Sequence, residues 1–516
     1  MANTAAPAKL KPEEVRFLAL EGGGKGFAYL GALQVLEELP IGGETAAPAG
    51  EHRSVMDSVT AVAGTSAGAI TALMLALGLT SKEIQAELDS HVFDKFFDPP
   101  TSTNGQIVTP EVGGYTQEEP LDCEVAVQSS WRPQVAVRSA LAGIQSAGRT
   151  SLADMLMAVV SPVLACLSDA SLLAKALGSL SWILSGPKEL RNALLDPVRR
   201  ALIQKNANAA AVINTLFDRL PEYLAYLDRE MGLFSGAIAR TYFDQLIKRR
   251  LAEALDRRLP SATPASLPDN ITFETLRSLN EDFQLGFREL LVVGANISTG
   301  TSQLFSWLHT PRFPIADAIR ISMSLPVIYK PYVIAQKIDG FPPCGTYVDG
   351  GVWNNLPFRE IGALAAAPRP GGTGTNRSTP AAEASSTGQR VGTVVAERHT
   401  LGLRLEVVPP QPVLDVQSVI AHVAVIAGET QVLSEFAPFI QVLDTRGLDT
   451  LLFSPDEQTK RLVTERSRRA MLRYFNQPVP INPVAGLDEF LGAGELAGTA
   501  CVPRQPRRRN VRASHR

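Results

Sequence analysis

The chain has 516 residues, enough for several domains or for one large α/β domain with insertions. Hydrophobic residues make up 45% and charged residues 20%, which excludes global disorder, and Lys+Arg 49 against Asp+Glu 52 leaves a net charge of −3, which argues against a dedicated nucleic-acid binder. The four cysteines, Cys123, Cys166, Cys344 and Cys501, are scattered and include no C-x-x-C pair, so neither a disulfide framework nor a structural zinc site is expected.

Residues 1–16 contain no apolar h-region, and no run approaches 18 uncharged apolar residues. Neither a cleaved signal nor a transmembrane helix is expected. The expected location is cytoplasmic or peripheral to a membrane, with signal-less export left open. Arg16–Leu20 reads as a short buried strand that runs into Glu21-Gly22-Gly23-Gly24-Lys25-Gly26, and a helix follows over Phe27–Leu39. Val59–Ala63 is a second strand, with a tight turn at Gly64–Ser66 and a helix of small and apolar residues ending near Gly78. Thr80-x-x-Glu83 is a capping-box pattern that starts another helix. Strand, Gly-rich turn and helix, twice in succession, predict an α/β fold: three α/β/α layers around a mostly parallel sheet.

From Gln106 to Met231 the character changes, Leu- and Ala-rich over Leu141–Leu184 and more polar over Leu190–Leu227, which predicts a mostly helical insertion within one domain spanning 14–475. The α/β pattern resumes at Leu290–Ala295 (strand), Ile315–Ser322 (helix), Tyr347–Val348 (strand end) and Leu401–Val408 (strand). Pro368–Arg390 has 14 Gly, Pro, Ser or Thr among 23 residues and predicts a disordered loop. Residues 477–516 read as a C-terminal extension whose last stretch, Arg504–Arg516, holds six Arg and no acid.

Gly64-Thr65-Ser66-Ala67-Gly68 fits G-x-S-x-G between a strand and a helix, the context of a nucleophile elbow, although an ordinary Gly-rich turn has the same pattern. Glu21–Gly26 offers backbone N–H groups to an anion or a developing oxyanion, or is a tight turn with no ligand. It is neither a Walker A loop nor a dinucleotide fingerprint. Asp349-Gly350-Gly351, taken alone, reads as a hairpin turn. Of the six histidines, His399 precedes a strand and His422 falls in a predicted helix; neither sits in a recognisable catalytic loop.

Taken in order, these pieces resemble the patatin-like phospholipase family. Leu18–Leu33 looks like its glycine-rich oxyanion loop and first helix, Gly64–Gly68 its nucleophile elbow, Asp317–Pro326 its Ser/Pro segment, and Tyr347–Pro357 its aspartate motif. The resemblance implies a Ser66–Asp349 dyad: Ser66 attacks an acyl ester, and Asp349 takes its proton and later activates water. It implies an oxyanion hole drawn from Gly22, Gly23, Gly24, Lys25 and Gly26, an elbow shaped by Gly64, Thr65, Ala67 and Gly68, and an aspartate loop completed by Gly350 and Gly351. Lys25 follows Gly24 directly, where the family usually has one more residue, so which N–H groups form the hole stays open. No metal or cofactor is implied. The implied substrates are fatty acyl esters of phospholipids or lysophospholipids, and the implied partner is a membrane surface. Leu152–Leu184 offers a lid or an interfacial helix pair, and Lys248–Arg250 with Arg257–Arg258 offers an anionic-surface contact; packed or solvated helices are the alternatives. No feature identifies a protein activator. Two other readings remain, a non-lipid esterase or thioesterase using His399 or His422, and a catalytically silent interaction protein.

Overall fold

The computed structural model describes residues 9–41 except Gly24, then 53–90, 231–259, 267–366, 397–406, 436–448 and 455–479, with short pieces at 96, 101–103, 106–108, 199–200 and 214. The chain divides into two units, Met1–Pro478 and Val479–Arg516, and the strands and helices among the described residues lie in the first. Most of the predicted insertion, the 368–390 loop and the basic tail lie outside the described residues.

The strands are β1 (Phe17–Leu20), β2 (Ala61–Thr65), β3 (Thr101–Thr103), β4 (Gln106–Val108), β5 (Gly232–Phe234), β6 (Glu289–Asn296), β7 (Thr301–Phe305), β8 (Val327–Tyr329), β9 (Tyr332–Ile334), β10 (Gly345–Asp349), β11 (Thr400–Glu406) and β12 (Ile440–Asp444). The helices are α1 (Phe27–Glu38), α2 (Val55–Ser58), α3 (Ala67–Ala76), α4 (Ser81–Asp89), α5 (Ala237–Arg258), α6 (Phe273–Phe283), α7 (Ile315–Ser322), α8 (Glu360–Ala366) and α9 (Glu457–Tyr474). The main sheet runs β12-β11-β1-β2-β6-β10-β9, with β7 also paired to β6. The five strands from β12 to β6 are parallel; β10, β9 and β7 add antiparallel pairs.

Both faces of this sheet are buried, and the strand alternation shows it. Leu18, Leu20, Val62, Leu290 and Val292 join the larger core with α1, α3 and α7. Ala61, Ala63 and Leu291, out of phase with them, pack with Ile361 and Leu364 of α8 and with Phe17. Helices on both faces of a mostly parallel sheet make the expected three-layer α/β/α arrangement.

The observed boundaries differ from the predicted ones where a local cap intervenes. Strand β2 starts at Ala61 rather than Val59, because Ser54 and Asp57 form a reciprocal capping box for α2, and Val59 closes that helix. Strand β2 therefore runs to Thr65, directly into the elbow. At the start of the expected insertion, strand β4 pairs antiparallel with β3. Cys344, expected unpaired, is disulfide-bonded, and the other three cysteines lie outside the described residues. Among the described residues no helix is long and apolar enough to cross a membrane, and no cluster of His, Cys, Asp or Glu is arranged to hold a metal.

Candidate active site

In a parallel sheet the loops leaving the carboxyl ends of neighbouring strands lie side by side, and these loops are where such folds place their ligands. Strand β1 ends at Leu20 and continues into the glycine loop; adjacent β2 ends at Thr65 and continues into Ser66. Strand β6 supplies the third part. Its residues Val292–Asn296 pair with β7 on one edge, so β2 and β10 must share the other. Thr65 stands opposite Val293 and Asp349 opposite Gly294. The parallel β2 and antiparallel β10 thus meet end to end on consecutive residues of β6. Ser66 and Asp349 occupy the junction.

Ser66 has φ 53 and ψ −125, outside the ordinary regions for a residue with a Cβ. Holding such a conformation costs ~1–3 kcal/mol, and its surroundings must impose it. The elbow glycines let the chain turn this sharply. A Cβ on Gly64 would strike the Gly68 backbone, and one on Gly68 would meet Glu21 O at 2.6 Å. The Ser66 amide donates to Ser322 Oγ at 2.9 Å. Ser66 is 7% exposed, at the N-terminus of the wholly buried α3. Helix α1 likewise begins at the end of the glycine loop. Neither helix carries an acidic residue in its first turn, so two positive helix ends lie beside the junction.

Asp349 is 1% exposed. Its Oδ1 accepts from Gly351 N–H at 2.7 Å, and its backbone amide donates to Ser324 O at 2.8 Å. Burial pushes its carboxyl up to about 7, against the opposing influence of the nearby Ser66 hydroxyl and the Gly351 amide. The Ser66 hydroxyl stops short of hydrogen-bond geometry, so Oδ2 is buried without a partner. A carboxylate in this state is a far better proton acceptor near neutral pH than a solvated one.

The glycine loop is tied to both neighbours. The Gly22 amide donates to Asn355 O at 3.0 Å, and Asn355 Nδ2 returns a bond to Gly22 O at 3.2 Å. A Cβ on Gly22 would lie 3.0 Å from Ser66 Cβ, so this loop backs directly onto the serine. Gly23 has φ 152, which side-chain-bearing residues rarely adopt. Tyr29 donates its hydroxyl to Glu21 O, and Lys25 Nζ reaches Thr445 Oγ1 at 3.2 Å, just past β12. Thr65 Oγ1 donates to Asn354 O at 3.0 Å, closing the ring of contacts from elbow to aspartate loop. The structure thus brings together Gly22, Gly23, Lys25, Gly26, Gly64, Thr65, Ser66, Ala67, Gly68, Asp349, Gly350 and Gly351. Gly24 lies outside the described residues. The expectation that Gly22 lends its amide to an oxyanion meets an amide already bonded to Asn355.

Sequence reasoning named Ser322, Ser324 and Asn355 only within longer segments. Their contacts join residues far apart in the chain, 256 positions in the case of Ser66 and Ser322, and no spacing signals them. The histidines stay away. His399 precedes β11 at the amino end of the sheet, its Nδ1 on Glu14 O at 2.8 Å. His309 follows β7 as that strand runs back toward the same end, its Nδ1 2.7 Å from Ser306 Oγ. His422 lies outside the described residues.

The model of the family described as patatin-like phospholipase matches residues 18–361, and the chain belongs to that family. A probable lipid hydrolase, 463L of Invertebrate iridescent virus 6, is 29% identical over 81 residues, which are 16% of this chain and 25% of that protein. The chain therefore spans only a quarter of the length of this curated relative. Among solved structures, VipD from Legionella pneumophila aligns over 92% of this chain and 72% of its own, at 16% identity and a TM-score of 0.38. ExoU, in its complex with SpcU from the type III secretion system of Pseudomonas aeruginosa, aligns over 90% of this chain and 52% of its own, at 18% identity and a TM-score of 0.30.

Proposed function

We propose that this chain is a serine lipid acyl hydrolase that cleaves fatty acyl esters of phospholipids or lysophospholipids through a Ser66–Asp349 dyad. The observation that carries the reading is the end-to-end junction on β6, where a serine in a strained turn faces a buried carboxyl of pKa about 7 with one unpartnered oxygen. Membership of the patatin-like phospholipase family supports the lipid substrate class.

In this reading Ser66 Oγ attacks the ester carbonyl while Asp349 Oδ2 takes its proton. The carbonyl oxygen becomes an oxyanion facing the ends of α1 and α3, with Gly23 and its neighbours, rather than Gly22, as backbone donors. The intermediate collapses, Asp349 returns the proton to the departing alcohol, and an acyl-serine remains. Asp349 then takes a proton from water, the hydroxide attacks the acyl-serine, and the fatty acid leaves as Ser66 regains its proton. Among the described residues no histidine takes part; His399 precedes β11 at the amino end of the sheet, whereas Ser66 follows β2 at the carboxyl end. The substrate would be met at a lipid surface, with the protein cytoplasmic or peripherally associated.

The test is fluorophosphonate labelling with mass-spectrometric site mapping, followed by product analysis on a mixed lipid extract. The expected results are label on Ser66, its loss in Ser66→Ala, and free fatty acid among the products. Label elsewhere, or hydrolysis undiminished in Ser66→Ala, would end the proposal.

A further inference from the structure

The β2–β6 ladder stops one bond short of where its register would take it. Glu289 N–H donates to Thr60 O at 3.0 Å, with Ala61 opposite Glu289 and Thr65 opposite Val293. Parallel alternation then assigns the next donation to Ser66 N–H and the next acceptance to Val293 O. That bond is not made directly. The Ser66 amide donates to Ser322 Oγ at 2.9 Å, and the Ser322 hydroxyl donates to Val293 O at 2.6 Å. One fully buried hydroxyl is spliced into the ladder.

We infer that Ser322 is a positioning residue for acyl transfer, one that turns Ser66 out of the strand by standing between its amide and the carbonyl that would otherwise hold it. The inference rests on the reading of Ser66 as nucleophile. A direct bond would draw Ser66 into extended conformation and send its side chain to a sheet face. Omitting the hydroxyl would leave a buried donor and a buried acceptor unpaired. With the hydroxyl in place both groups are satisfied while Ser66 keeps φ 53. Ser322 ends α7, and two residues later Ser324 O takes the Asp349 amide at 2.8 Å. Arg320 in turn donates to Ser324 Oγ and to Ser235 O and Lys330 O. A single turn of chain therefore fixes the backbones of both members of the dyad. Ser322 touches neither substrate nor the reacting atoms.

The experiment compares Ser322→Ala with Ser58→Ala on a small soluble ester. Ser58 is also a buried serine, donating to Val15 O and Val55 O, but at the opposite end of the sheet. Ser322→Ala should lower kcat by roughly ten- to a hundredfold with KM within twofold, and slow fluorophosphonate labelling of Ser66 by the same factor. Ser58→Ala should lose comparable thermal stability and keep kcat within about twofold of the parent. If the alanine variant does not fold, Ser322→Cys, close in size but a weak donor, takes its place with the same expectation. Turnover within about twofold of the parent in a folded Ser322 variant overturns the inference, as does an equal kcat loss in Ser58→Ala. Label mapping to another residue in the parent would instead overturn the nucleophile reading, and this inference with it.

Discussion

The two ends of the parallel sheet use similar residues to opposite effect. At the amino end Arg288, Ser58 and His399 are all satisfied. Arg288 donates to Val59 O, Leu75 O and Met56 O at 2.9–3.1 Å, which gathers the last carbonyls of α2 and α3. Ser58 donates to two carbonyls, and His399 sits on a third. At the carboxyl end the serine has a positive φ and the aspartate is buried with an unpartnered oxygen. The amino end gains stability from its polar groups, and the carboxyl end holds its own in a costly state.

Five changes put that contrast at risk. The largest effect is expected of Asp349→Asn, which should lower turnover on the order of 10²–10⁴-fold, since an amide cannot accept the serine proton. The same change should raise stability at alkaline pH. The folded pKa of about 7 lies above the ordinary value of ~3.9, so the parent's contribution is full below pH ~4 and is lost as pH rises through about 7. The variant should exceed the parent by roughly 2–4 kcal/mol at pH 8 and by nothing near pH 4, as denaturant melts at the two pH values would record. The parent's kcat/KM should fall as pH drops below about 7. A flat profile from pH 5 to 8 would remove Asp349 as the base.

Arg288→Met should do the reverse at the other end. It strands three carbonyls and should cost on the order of 3 kcal/mol in a urea melt, with kcat within a fewfold of the parent. A specific loss of kcat would show that the two ends are coupled.

Gly23→Ala places a Cβ where φ is 152, while Lys25→Met leaves the amides in place and removes the ammonium that reaches Thr445. On a soluble ester the first should lower turnover by more than about tenfold and the second by less. If Lys25→Met proves the more damaging, the ammonium takes a direct part. The smallest effect is expected of replacing Pro368–Arg390 with a short Gly/Ser linker. Closure entropy changes by only ~0.6 kcal/mol per doubling of loop length, and the segment has almost no apolar side chains to bury. A large drop in melting temperature would mean that the loop packs.

What the sequence disclosed tracks what is local. The two strand–turn–helix units, the elbow and the aspartate motif are legible because glycines and β-branched runs mark them within a few residues. Helix α9 is not, because its core-facing positions include Lys460 and Arg466, buried with ion partners, which breaks the apolar stripe. Helix α5 is masked by its polar content, although Phe243, Leu246, Ile247 and Leu251 line one buried face. Its Lys248–Arg250 cluster pairs with Asp244, Glu87, Glu83 and Glu253. The roles of Ser322 and Ser324 depend on the partners that tertiary packing brings them.

The end-to-end meeting on β6 also sets an order of events for the newly made chain. Neither half of the junction is local: β2 must find β6 across the whole insertion, and β10 must then fold back onto the same edge. Pairings this distant in sequence close late, after helices and neighbouring strands have formed. A nascent or partly refolded molecule can hold native helix content and still lack a competent serine. Recovery of esterase activity after dilution from denaturant should therefore lag the recovery of helical circular dichroism. The burst of turnover would time the closing of the last ladder.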